Sequence, residues 1–360
     1  MNLETHLVLV WEKALDKIDE ILFDLKNDFQ ILEVNKVFWS QDFFSSNLSR
    51  FYGQKLPSGS FKEKHCGTGP FISIIVRQSN PIYEFRETSK GREKVNSILF
   101  DKKQLYRKWT GGGHKVHTSN NVEESVHDIY FLFKKTSDCF LNDKAWNGEV
   151  KDIEIDIKGF DGWSDFKDLF QFLNISSNYV VLRNYENLSP KDDVDILTSD
   201  VDFSYHINGS RKHIYNDRAA YEISVDEKIY NIDTRIVGDG YYDSSWASDI
   251  LKNKILYQGK FYIPDPLNEF YSLLYHALIH KNKFNDKYNN RLTQLSEKLD
   301  INFSSSIMAD RSKMMSLLKI FLNNKKYSIT RPNDFSVQFR HGSKGVKRSL
   351  WEMMGRIKNG

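Results

Sequence analysis

Cysteine, net charge, long apolar runs and repetition are all scarce in this chain of 360 residues. Its two cysteines, Cys66 and Cys139, stand far apart with no Cys-x-x-Cys, which excludes a disulfide framework and a thiolate zinc site. Reduced thiols fit a cytoplasmic chain. The 51 basic and 48 acidic residues leave a formal charge of +3, too little for long-range attraction, so no nucleic-acid partner is expected. No stretch approaches the ~18 apolar residues of a spanning helix. The opening "MNLETHLVLVWEKALDK" carries acids early and a short apolar run over 7–11, unlike a secretory signal. There is no internal repeat and no low-complexity segment.

Apolar and aromatic side chains are plentiful. At 40% hydrophobic and 14% aromatic, with 25 Phe and 18 Tyr, the chain can fill real cores, and 28% charged residues make an ordinary soluble surface. Its length suits two domains at roughly 100–200 residues each. Charge is uneven: from Lys326 onward eight Lys or Arg face two acids.

Periodicity predicts a strand over 6–11, a helix over 14–29 with Leu15, Ile18, Ile21, Leu22 and Leu25 on one face, and a strand over 30–39. A short helix follows over 43–53, a loop at 57–60, and a buried strand over 69–78 entered through Gly-Pro. "NPIYEFRETS" (80–89) opens with an Asn-Pro turn and reads as the start of another helix. "NNVEESVHDIYFLF" is a helix with Asn120 or Asn121 as N-cap and Glu123 and Glu124 at the positive end of its dipole. Polar residues and glycine between 136 and 160 mark a seam. Beyond it come a helix (164–173), strands over 178–185, 192–198 and 228–238, a glycine turn "GDGYYD" (238–243), and helical periodicity from 265 to about 323.

His117, followed by two hydroxylated residues, two amides and an acidic amphipathic helix, is the first candidate site. The segment "VHTSNNVEESVHDIYFLF" resembles the active-site signature of nucleoside diphosphate kinases, and the preceding order of strands and helices resembles theirs from the first strand onward. The resemblance implies a ferredoxin-like domain, a phosphohistidine at His117, Ser119 beside it, and Asp128 orienting the imidazole. It also implies that Tyr52, Arg86 and Arg107 bind nucleotide phosphates. The chemistry is sound: a neutral imidazole nitrogen attacks phosphorus, a carboxylate holds its tautomer, and cations offset the charge. Three features depart from the family. Its phosphate-binding Lys-Pro-Asp after the first strand is Trp11-Glu12-Lys13 here, its Gly-Ser-Asp is Thr118-Ser119-Asn120, and the glycines 111–113 have no counterpart. Two further readings of the segment are an ordinary capped helix and metal binding by His114, His117 and His127.

Asp193 and Asp195 form the second candidate. On a strand they point to the same side, and facing carboxylates need a cation between them. Magnesium, which takes one or two carboxylates plus phosphate oxygens and water, predicts a nucleotide as companion ligand. Asp233, mid-strand between Ile232 and Ile236, is a third acid that needs a partner. Residues 160–280 resemble the nucleotidyltransferase fold of the polymerase β type. That implies Asp193, Asp195 and Asp233 as catalytic metal ligands for two Mg2+ or Mn2+ ions, with Arg183-Asn184 where the family has Gly-Ser or Gly-Gly. Arg183 then grips phosphate. The same "DDVD" resembles the DxD of glycosyltransferases, and a solvated acidic turn is the plain alternative. Residues 235–281 resemble uncharacterised nucleotidyltransferase-like proteins linked to surface-polysaccharide synthesis. His276 and His280, at i and i+4 among tyrosines, read as structural histidines in preference to half a metal site.

In the tail, Val346, Leu350, Met353 and Ile357 share a helical face beside Lys347, Arg348 and Arg356, suited to packing on the body or to peripheral contact with an anionic membrane. The expectation is an α/β (α+β) chain: a ferredoxin-like, nucleoside diphosphate kinase-type domain (1–145), a nucleotidyltransferase-like mixed-sheet domain ending in helices (146–325), and a basic tail (326–360). The expected function is phosphoryl or nucleotidyl transfer from a nucleoside triphosphate with Mg2+ (or Mn2+) to a small molecule or glycan. A DxD glycosyltransferase and a non-catalytic nucleotide-binding module are the alternatives.

Overall fold

The computed structural model describes residues 3–88, 91–186, 193–212, 220–281 and 286–340. Two compact units divide the chain, Met1–Asp161 and Gly162–Gly360. Both are mixed helix and sheet, an α+β chain with mixed sheets.

In the first unit β1 (Leu3–Val10) leads through a 3-10 turn into α1 (Ile18–Leu25) and β2 (Gln30–Phe38). Helices α2 (Phe44–Tyr52) and α3 (Phe61–Cys66) precede β3 (Phe71–Ser79). Then come a hairpin of β4 (Tyr83–Thr88) and β5 (Gly91–Asn96), α4 (Ser97–Trp109), β6 (Val116–Thr118), α5 (Val122–Phe133) and β7 (Lys151–Glu154). The sheet order is β6-β1-β3-β2-β7. β1 is antiparallel to both β3 and β6, and β3 is antiparallel to β2. Leaving β4, β5 and β7 aside, this is the βαββαβ order of a ferredoxin-like sheet. β1 runs through its interior between β6 and β3, buried from Thr5 to Val10, which is why "LVLV" shows no alternation. Ile21, Leu22 and Leu25 of α1 and Leu99 and Tyr106 of α4 share one core with Val8, Val10, Ile74 and Val76.

Residues 80–89 do not begin a helix. Tyr83–Thr88 is a strand paired with Gly91–Asn96, and none of its residues is buried, as in a two-stranded ribbon lying at the surface. The first unit runs past the seam placed after residue 145, because β7 pairs in parallel with β2 from Asn35↔Lys151 to Phe38↔Glu154. Asp156 fastens the chain just beyond β7, accepting from Ser40 N (3.0 Å) and Asn47 Nδ2 (2.5 Å).

The second unit opens with α6 (Phe166–Ser176), β8 (Tyr179–Arg183), β9 (Val194–Thr198), α7 (Phe203–Ile207), β10 (Ser210–Arg211), β11 (Ala220–Val225) and β12 (Lys228–Ile236). Its sheet has the order β10-β11-β12-β9-β8, with β12 and β9 parallel and the other pairs antiparallel. After α8 (Ser244–Lys252) and the hairpin of β13 (Ile255–Tyr257) and β14 (Phe261–Ile263), the chain is helical: α9 (Pro266–Tyr275), a π-helical turn (His276–His280), α10 (Asp286–Lys298), α11 (Ser305–Met308) and α12 (Arg311–Lys325). Asp265 caps α9 and Pro266 fills its first turn, where no backbone N–H is needed. Val180, Leu182 and Leu197 from the sheet meet Trp246, Phe270, Leu274 and Leu318 from the helices in one core. Residues 327–340 pack within this unit, Tyr327 stacking on Trp246 (5.8 Å). The expected tail helix over 346–357 lies outside the described residues. No described helix is long and apolar enough to cross a membrane.

Candidate functional sites

In the first unit, β6 and α5 bring His117 and Asp128 together. Asn121 accepts from Glu124 N (2.8 Å) while the Glu124 carboxylate accepts from Asn120 N (2.5 Å), a reciprocal cap that fixes where α5 begins. One turn on, Asp128 Oδ2 lies 2.8 Å from His117 Nε2 and its Oδ1 3.1 Å from His127 Nδ1. Burial pushes the Asp128 carboxyl up, and the two histidines outweigh burial, holding it below the ordinary carboxylate range. His117 is 8% exposed, with Phe51 and Tyr52 edge-on at 5.2 and 5.7 Å.

Tyr52 is half-buried and accepts from Trp11 Nε1 at 3.1 Å; Lys62 Nζ sits 3.8 Å from its ring. Arg107 donates to Val116 O, one residue from His117, at 3.1 Å. Lys103 reaches Asn120 Oδ1 at 2.5 Å, and burial pushes its pKa down to about 8. The fold thus brings Tyr52, Arg107, His117 and Asp128 into one neighbourhood.

Arg86 does not join them. It stands on the hairpin, paired with Glu84 (2.7 Å) and Asp101 (3.4 Å). Ser119 is fully buried, its Oγ accepting from Leu7 N at 3.1 Å, which makes it a tie between β6 and β1. Trp11, where the resembled family carries its lysine segment, is fully buried against Phe71 (4.5 Å) and Trp39 (5.5 Å), while Lys13 is exposed. Sequence reasoning missed the nearby cations Lys62 and Lys103. It also found no use for the glycine triplet. Gly111, Gly112 and Gly113 all have left-handed φ (+79°, +85°, +81°), and a Cβ on Gly113 would overlap the His65 ring.

Among the described residues, His117, Glu124 and Asp128 are the group of three whose ligand atoms lie within 4.8 Å of one another. His114 is not part of it; its ring lies 5.9 Å from His65.

In the second unit, strand register builds the site. Arg183 of β8 pairs across from Asp195 of β9, and Asp195 from Asp233 of β12, so the three side chains stand side by side on one face. They line a cleft of about 620 Å³ with Asn184, Asp193, Arg235, Tyr241, His276, His280, Lys281 and Tyr288. Arg183 donates to Asp195 Oδ1 (2.8 Å) and Tyr241 Oη (3.1 Å). Burial opposes its charge, and Asp195 outweighs burial, so the guanidinium is held more firmly protonated than usual. Arg235 lies 3.8 Å from Asp233, donates to Asp334 Oδ2 at 3.0 Å, and covers the Tyr241 ring at 4.5 Å. His276 Nδ1 is 2.6 Å from Tyr241 Oη and its Nε2 is 3.3 Å from Tyr288 Oη.

Asp193, just before β9, is exposed, whereas Asp195 and Asp233 are 9% and 7% exposed. The three aspartates share the cleft, but they are not among the described groups of ligand atoms within 4.8 Å of one another. Each strand carboxylate instead has a guanidinium beside it. Arg235, two residues after Asp233 and on the same face, was legible in the sequence and overlooked; Tyr241 and Asp334 carried no such signal.

No protein-family model and no curated protein matches this chain. Solved structures similar to part of it include a nucleoside diphosphate kinase from Aquifex aeolicus, 14% identical over 36% of this chain and 93% of that one, with a TM-score of 0.25. A nucleoside diphosphate kinase family protein from Babesia bovis is 12% identical over 35% and 85%, with a TM-score of 0.22. The Borrelia burgdorferi nucleoside-diphosphate kinase with bound vanadate and ADP is 9% identical over 40% and 94%, with a TM-score of 0.25.

Proposed function

We propose that this chain is a transferase of phosphorus-containing groups that draws on a nucleoside triphosphate in the cleft of the second unit. The observation that carries the reading is the in-register row Arg183–Asp195–Asp233 opening into that cleft. Arg183, Arg235 and Lys281 supply the cations a polyphosphate needs, and two guanidiniums can each present a planar fork to phosphate oxygens.

The carboxylates suit magnesium in one way and not another. They are not gathered as a preassembled three-carboxylate cage. Their oxygen donors do fit an ion that shares its coordination with phosphate oxygens and water. Asp193, Asp195 and Asp233 would hold it, and it would neutralise charge on the transferring phosphate. The chain's own part is to bind and orient the phosphates between arginines, so that an acceptor oxygen attacks phosphorus in line with the leaving group.

In the first unit the same proposal gives His117 a phosphoryl-accepting role. Asp128 holds Nε2, which leaves Nδ1 as nucleophile, with Arg107 bonded to Val116 O beside it and Lys62 over the ring of its neighbour Tyr52.

The test is incubation of the full chain with nucleoside triphosphates labelled at the α or γ position, Mg2+ and a panel of hydroxylated and sugar-phosphate acceptors. Label transfer that is lost in Asp195→Asn and Arg183→Ala is expected, and the label's position tells nucleotidyl from phosphoryl transfer. Transfer that survives both substitutions, or no nucleotide consumption with any acceptor, overturns the reading.

A further inference from the structure

The π-helical turn at the end of α9 carries a buried polar group, His280, at the edge of the cleft. His280 is 3% exposed and lines the cleft, yet neither Nδ1 nor Nε2 has a hydrogen-bond partner among the described residues. Its ring packs on Tyr241 at 4.0 Å, with Tyr275 at 5.2 Å and His276 at 5.9 Å, all ring contacts and none of them a hydrogen bond to it. Such a group costs folding free energy, since burial strips its water and returns nothing. His276, four residues earlier on the same turn, shows the contrast, with tyrosine hydroxyls at both nitrogens.

A second lone donor points to the same place. Arg235 Nε is buried without a hydrogen-bond partner, and the Arg235 guanidinium covers the same Tyr241 ring that His280 packs on. Two unmet polar groups thus flank one tyrosine in one cleft. Irregular π turns inside helices are frequent at functional sites.

We infer that His280 is a ligand-contacting residue of the cleft, donating from one ring nitrogen to a phosphate oxygen and accepting at the other from a hydroxyl of the same ligand. The ligand class is then a phosphate ester that also carries a free hydroxyl, such as a nucleoside diphosphate. This rests on the reading of the cleft as a site for phosphorus-group transfer. Burial first, and then the charges of Arg183 and Arg235, push His280 well below the ordinary imidazole range, so it presents one donor and one acceptor.

Titration calorimetry of the full chain with ADP and Mg2+ tests this, with thermal unfolding measured alongside. Wild type binds ADP. His280→Leu is expected to weaken binding roughly ten- to a hundredfold, the loss of a hydrogen bond to a charged group, while melting no lower than wild type without ligand. His280→Gln, which keeps one donor and one acceptor, retains most of the affinity. A Leu variant that binds ADP as wild type does overturns the inference and leaves the cleft reading standing. A Leu variant that melts several degrees lower, or does not fold, also overturns it, because His280 is then a packing residue. Wild type that binds no ADP, or an Arg183→Ala variant that binds it undiminished, removes the cleft reading and this inference with it.

Discussion

Replacing Asp334 by alanine strips Arg235 of its best partner while leaving the guanidinium in place. Both side chains are almost wholly enclosed, at 7% and 6% exposure, and they meet at 3.0 Å. Removing one member of a buried pair costs roughly 3–5 kcal/mol, because the other charge is left uncompensated. Here the lower end applies, about 3 kcal/mol, since Arg235 keeps Asp233 at 3.8 Å and the Tyr241 ring at 4.5 Å. For a unit of this size that lowers the melting temperature by about 6–12 °C, at about 2–4 °C per kcal/mol.

The double variant Asp334→Ala/Arg235→Met removes the orphaned charge as well, and it is expected to melt above the single one. Acid weakens the same pair. Burial pushes the Asp334 carboxyl up, and hydrogen bonds from Ser336 and Arg235 outweigh burial, holding it below the ordinary range. A folded pKa below the unfolded ~3.9 contributes stability that is fully present above that value and is lost as pH falls through the folded one. The gap between wild type and Asp334→Ala therefore closes on acidification below about pH 4. Differential scanning calorimetry of the full chain between about pH 3 and 7 reads both effects. A double variant that melts below the single one, or a gap that widens in acid, refutes the reasoning.

Three further outcomes concern the first unit. With γ-labelled triphosphate, wild type is expected to carry an acid-labile, alkali-stable label that His117→Ala lacks and Asp128→Asn lowers by about tenfold or more through loss of the tautomer lock; equal labelling of all three counts against His117. Asn121→Ala removes the α5 cap at a cost of about 1 kcal/mol, visible as a lower melting temperature, and no shift would show that Glu124 alone sets the helix start. Lys103, pushed down to about 8 by burial, binds fewer protons folded than unfolded between pH ~8 and its unfolded ~10.4. Wild type therefore gains stability relative to Lys103→Met as pH rises through that window, and a parallel pH dependence of the two would contradict the burial.

How far the chain could be read in advance differed by element. β1 and β3 announced themselves because a strand buried on both faces has no reason to alternate, and "LVLV" and "FISIIV" do not. The α5 start was legible from Asn121 and Glu124, whose chemistry is local. The β4–β5 hairpin was not, because an Asn-Pro turn opens helices and strands alike and only the partner strand decides. Arg86 went astray for that reason, placed by likeness to a helix that is not there. The cleft was half legible. A shared face follows from spacing on one strand, so Asp193 and Asp195 could be paired and Arg235 could have been added to Asp233. The Asp334 contact spans 99 residues of sequence and leaves no local trace.

The register irregularity in β8 has a consequence of its own. Val181 pairs with Ile196, and with even spacing Arg183 would fall opposite Val194; the shift between Val181 and Arg183 sets it against Asp195 instead. One surplus residue in an otherwise apolar strand thus aligns the charge of β8 with that of β9. Had the same residues paired evenly, Leu182 would stand against Asp195 and Arg183 against Val194, so the row of charges in the cleft depends on a backbone irregularity and not on the apolar pattern that builds the sheet.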